Sequence, residues 1–143
     1  MIILNEIPMP PTANQRLIPA GGRLIKSQTC RNFDKAVQVW MLRQRSKLFD
    51  DRRKAKEWID TGFMIKVDFC FYWPKSKLIS KDGMPKRLDD SNRLKDAEDA
   101  VSDIIGIDDK WFIDKTLKKI PWNKEYEAFT ATITNCSWET DLS

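Results

Sequence analysis

The chain has 143 residues, 41% of them hydrophobic, a size that suits one domain with a genuine core and leaves surface that a partner subunit would help to bury. It carries a formal charge of +4, no histidine and three cysteines, Cys30, Cys70 and Cys136, which form no CxxC pair. This excludes HNH and other His-metal nucleases, Ser-His and Cys-His catalysis and His-containing zinc sites, and it suggests neither a disulfide framework nor a zinc site.

From the N-terminus, Ile2 to Ile7 reads as a short strand that stops at Pro8, Pro10 and Pro11, since proline cannot donate to a sheet ladder. The same segment lacks the basic and long apolar regions of a signal peptide, and no apolar run approaches the roughly 20 residues of a membrane span. A cytoplasmic protein without a membrane partner is expected. After a loop, the Gly21-Gly22 turn leads into a candidate strand from Arg23 to Ser27. Thr29 or Asn32 can then cap a helix to about Phe49, with Phe33, Val37, Trp40, Met41 and Leu48 as its buried stripe. The charge cluster from Asp50 to Lys56 reads as a solvated helix end, with a DNA contact as the alternative.

From Phe63 to Trp73 the period changes from helical to alternating, with Phe63, Ile65, Val67, Phe69, Phe71 and Trp73 on one face of a strand. A polar loop follows that holds Lys75, Lys77, Lys81, Lys86 and Arg87 against one acid, Asp82. It is either a solvated loop or a set of phosphate contacts that release counterions from a polyanion.

A second helix is expected from Asp90 or Ser91, with Leu94, Ala97, Val101, Ile104 and Ile105 on one face and Asn92, Lys95, Asp99 and Ser102 on the other. Gly106 ends it as a C′ residue would, and Asp108 and Asp109 follow. Phe112 to Ile120 and Tyr126 to Thr134 carry strand character and would complete a mixed sheet behind the helix. Asp89, Asp90 and Ser91 can be helix caps and Lys95 with Asp99 a surface pair. The functional alternative is a magnesium-dependent phosphodiester-cutting site. Carboxylates are hard oxygen ligands that suit Mg²⁺ or Mn²⁺, and a lysine one helical turn away can meet a phosphate whose charge grows in the transition state.

The order Pro10-Pro11-Thr12-x-Asn14, then Asp89-x-Ser91-Asn92-x-x-Lys95-x-x-x-Asp99-Ala100, then Gly106-x-Asp108-Asp109 resembles the RusA family of Holliday junction resolvases, commonly encoded by phages and prophages. The resemblance covers nearly the whole chain, and its central motif is the more specific part. It implies a single α/β domain over residues 1–143, a small mixed sheet packed with two main helices. It further implies a tight homodimer whose two Mg²⁺-dependent sites, with Mn²⁺ as a substitute, nick opposing strands of branched DNA with no organic cofactor.

On that resemblance Asp89 and Asp109 are metal-binding aspartates and Lys95 is the lysine needed for cleavage and not for junction binding. On the same resemblance Asn92 and Asp99 support the ligands; the residues expected to contact DNA are Asn14, Arg16 and, by their charge, Lys75, Lys77, Lys81, Lys86 and Arg87 of the basic loop. One position departs from the pattern: Ser91 stands where many members have a second aspartate, so Asp90, Asp108 or Ser91 itself would fill that ligand place. Two other readings remain, a branched-DNA-binding module without catalysis and a metal-dependent nuclease, including a ribonuclease, without junction preference.

Overall fold

The structure, a computed structural model, describes residues 1–11, 17–86 and 91–138. In chain order its elements are β1 (Ile2–Pro8), β2 (Leu17–Ala20), β3 (Arg23–Lys26), α1 (Gln28–Arg43), α2 (Arg45–Asp60), β4 (Met64–Pro74), α3 (Lys75–Leu78), α4 (Ser91–Ile105), β5 (Phe112–Trp122) and β6 (Ala128–Cys136). Four strands form one mixed sheet in the order β1-β6-β4-β5, and β2 pairs with β3 as a separate hairpin.

Strand β4 organises the core because its alternation is strict. Ile65, Val67, Phe69, Phe71 and Trp73 are fully buried, while the residues between them are half-buried on the opposite face. The rings of Phe69, Phe71, Trp73 and Phe129 interlock at centroid separations of 5.6–6.4 Å, in the edge-on and tilted arrangements that aromatic quadrupoles favour. β4 runs antiparallel to β6 and parallel to β5. A parallel pair needs a crossover, and α4 supplies it. Of the stripe expected from spacing, Ala97, Val101, Ile104 and Ile105 are buried in the same core and Leu94 packs partly buried against it, while Ala100 joins the core as well.

Strand β1 lies at one edge of the sheet, where unpaired backbone groups invite aggregation. Two helix side chains close that edge: Trp40 Nε1 donates to the Asn5 carbonyl at 2.9 Å and Lys47 Nζ to the Ile3 carbonyl at 2.7 Å. Trp40 is thus held in the fold by a polar bond as well as by packing.

The first expected helix is longer and divided. Ser27 caps it, its Oγ accepting from the Cys30 N–H at 3.1 Å, and the helical path changes at Gln44 before continuing to Asp60. The charge cluster therefore lies within α2, where Leu48 and Ala55 keep the buried stripe going. Arg52 from that cluster reaches the end of α4, with Nε 2.7 Å from the Ile104 carbonyl and Nη2 3.0 Å from that of Asp103. A cation on the last carbonyls of a helix satisfies orphan acceptors and the negative end of its dipole.

Gly106 closes α4 at φ +71°, with its N–H and that of Ile107 both donating to the Ser102 carbonyl. An added Cβ would meet only the Arg52 side chain at 4.0 Å, so the cost of a substitution is conformational and not steric. Gly106→Ala is expected to lower stability by about 1–2 kcal/mol, the left-handed penalty of an L-residue. Urea denaturation checks this through a lower midpoint at unchanged slope; an unchanged midpoint would contradict it.

Candidate active site

Helix α4 sets the direction of the expected functional side chains. Because its core-facing residues are fixed by burial, Lys95 and Asp99, four apart, project together on the exposed face. Ser102, expected on that face, instead donates from Oγ to the Ile107 carbonyl at 2.6 Å and belongs to the turn that ends the helix. Ser91 and Asn92 are the first two residues of α4. Asp89, Asp90, Arg87, Asn14 and Arg16 lie outside the described residues.

After Gly106 the chain makes one turn of 3-10 helix at Asp109–Trp111. Asp108 precedes it and Asp109 opens it, both exposed. The Asp108 Oδ1 accepts the Lys110 backbone N–H at 2.9 Å, and this bond holds the Asp108 carboxyl below the usual carboxylate range. Asp108 therefore stays ionised into mild acid, as a ligand for a hard cation must.

The two ends of the motif are not adjacent within one chain. Ile105 lies ten positions after Lys95 in α4, and at about 1.5 Å per residue the helix rises about 15 Å between them. Beyond Asp109, β5 runs back beside α4, so that Lys115 Nζ meets Glu98 Oε1 at 3.1 Å. Asp108 and Asp109 thus sit past the C-terminal end of α4, whereas Lys95 lies near its N-terminal end.

Among the described residues no group of three or more Asp, Glu, Cys or His side chains could hold a metal ion. What they offer is the adjacent pair Asp108 and Asp109. The donor set fits a magnesium-like ion, which takes one or two carboxylates and keeps several waters, better than a soft metal that prefers thiolates.

The basic segment after β4 is folded locally. Lys75 and Lys77 belong to α3, a bridge joins Ile79 to Pro85, and Lys86 Nζ donates to the Ser76 carbonyl at 2.6 Å. Lys75, Lys77, Lys81 and Lys86 are all exposed. Lys77 is engaged, at 2.7 Å from Glu127 Oε1.

Two features escaped the sequence reading. A cleft of about 500 Å³ between α1 and α4 is lined by Asp34, Asp96, Asp99 and Asp103 together with Lys26. Its signal in the sequence was the spacing of Asp96, Asp99 and Asp103, which puts three acids along one stripe of a helix. Lys26 bonds Asp34 at 2.7 Å, and that hydrogen bond raises the Lys26 pKa. The second is Glu127, whose partners are 50 and 34 positions away in sequence, too far for any local pattern to reveal. Among the described residues no helix is long and apolar enough to cross a membrane.

A family model described as endodeoxyribonuclease RusA matches residues 8–129, a span that runs from the end of β1 into β6. No curated protein matches the chain.

Proposed function

Since the chain belongs to the endodeoxyribonuclease RusA family, we propose that it is a divalent-metal-dependent enzyme that resolves four-way DNA junctions as a homodimer, through paired symmetric nicks. The observation that carries this reading is the family match itself, whose span takes in Asp89, Lys95 and Asp109. Asp89 and Asp109 would hold the metal, with Asp90, Asp108 or Ser91 supplying a further oxygen. When bound, a divalent ion polarises a phosphate and makes a coordinated water more acidic.

The chain's own residues do the rest. Lys95, exposed near the start of α4, offsets the charge that accumulates on the phosphate oxygens as the bond breaks. Asn92 and Asp99 orient their neighbours by hydrogen bonding. Lys75, Lys81 and Lys86, with Asn14, Arg16 and Arg87, neutralise phosphates along the DNA arms. Lys77 joins them while bonded to Glu127, since an ammonium keeps two further donors for a phosphate.

The separation of Lys95 from Asp109 along α4 bears on the dimer. Two copies related by a two-fold axis, with their α4 helices antiparallel, would bring the N-terminal end of one helix to the C-terminal end of the other. Each site would then draw Lys95 from one protomer and Asp109 from its partner, and the two-fold axis of a four-way junction would coincide with that of the enzyme.

Cleavage of synthetic substrates tests the reading. Purified protein with Mg²⁺ is expected to nick a four-way junction on opposing strands, to be inactive in EDTA and to cut linear duplex poorly. Junction binding without cutting would leave the DNA-binding module as the right description. Equal cutting of linear duplex, single strands or RNA would establish a nuclease without junction preference.

A further inference from the structure

We propose that Glu127 is a positioning residue for the reaction, its single carboxylate holding both the first turn of α4 and the basic segment after β4. This rests on the proposed function above, in which Lys95 and that segment act on the same DNA.

Glu127 stands immediately before β6, whose first residue, Ala128, pairs with Pro8 of β1 and Tyr72 of β4, so its backbone is anchored on the sheet. Its Oε1 takes Lys77 Nζ at 2.7 Å and its Oε2 faces Arg93 Nη1 at 3.7 Å. The Arg93 side chain is only 12% exposed and lies over the Trp73 ring, 5.8 Å from its centroid. Its Nε has no hydrogen-bond partner among the described residues, and the Glu127 carboxylate is an anion that faces this largely buried cation. Removing one partner of such a pair leaves an uncompensated charge, which the structure relieves by moving.

What moves is the helix phase. Arg93 and Lys95 are two residues apart, about 200° around α4, so holding Arg93 inward against Trp73 and Glu127 turns Lys95 outward. Arg52 fixes the other end of α4 through the Asp103 and Ile104 carbonyls. With Arg93 released, the helix stays docked at its C-terminal end while its first turn loses a defined orientation.

Glu127→Gln, which keeps size and removes charge, tests this in the full-length protein. Without DNA, amide hydrogen exchange over residues 93–97 is expected to quicken about tenfold, with residues 101–105 unchanged. With a four-way junction and Mg²⁺, the single-turnover rate is expected to fall about tenfold while the dissociation constant stays within about threefold. Arg93→Met, which removes the charge and keeps an unbranched apolar stem, should show the same split and decides the matter should Glu127→Gln fail to fold. Unchanged exchange and rate would overturn the proposal, as would binding and cleavage that fall together, since the pair would then be a DNA contact. Should the wild-type protein cut no junction, the proposed function fails, and the exchange measurement still decides whether Glu127 holds α4.

Discussion

Asp109→Asn is expected to abolish cleavage of a four-way junction, a loss of about 1,000-fold or more in single-turnover rate, because it removes an anionic oxygen from the place proposed for the metal. The fold should be untouched: Asp109 is exposed at the mouth of a single 3-10 turn, and asparagine keeps its size. Junction affinity should hold or rise, since a negative charge facing phosphates is gone. Asp89→Asn is expected to behave alike. A gel-shift titration beside a cleavage time course separates the two effects. Cutting at near wild-type rate by either variant would move the metal elsewhere, and loss of binding in step with cleavage would make the aspartate a fold determinant.

The parts of the fold legible in sequence are those whose signal is local. The alternation from Ile65 to Trp73 can bury five residues on one face only as a strand, and Leu94, Ala97, Val101, Ile104 and Ile105 share a face only in a helix. Gly106 was readable because a left-handed C′ residue is most often glycine. Strand β2 was missed because Pro19 weakens any strand reading of Leu17–Ala20, although a short hairpin tolerates it. The change of path at Gln44 has no Gly or Pro to announce it, and the buried stripe runs through it from Val37 to Leu48 and Ala55.

The candidate site was legible as chemistry and not as distance. Residue types and their faces on α4 follow from a 100° step, which is why Lys95 and Asp99 were placed together. That Asp108 and Asp109 stand a helix length away follows from the rise along the axis, which the order of a motif conceals. Arg52 at the end of α4 and Glu127 beside its start are tertiary contacts: the charge cluster that holds Arg52 reads as a solvated helix end and no local pattern singles out Glu127, yet each meets one end of the helix that carries Lys95.

Lys95→Ala is expected to separate binding from cutting. The chain has 25 lysines and arginines, so deleting one exposed cation leaves phosphate attraction nearly intact, while the transition state loses the charge that meets it. The expected cost is a few kcal/mol of barrier, on the order of 100-fold in single-turnover rate, with junction affinity within about threefold. Equal losses in both would show that Lys95 is an ordinary phosphate contact. Mixing this variant with Asp109→Asn extends the measurement to the dimer. If one chain supplied both groups to a site, each site of a mixed dimer would lack one of them and the mixture would cut no faster than Lys95→Ala alone. If the groups come from different protomers, one site of the mixed dimer holds Lys95 and Asp109 intact and the other holds neither. The ten-position stretch of α4 from Lys95 to Ile105, a rise of about 15 Å, favours the second arrangement. Co-expressed, doubly tagged and purified mixed dimers should therefore nick one strand of the junction per binding event at near wild-type rate, while either variant alone stays about 100-fold slower or more. A mixed dimer no faster than Lys95→Ala alone would place the two groups in a site built by one chain.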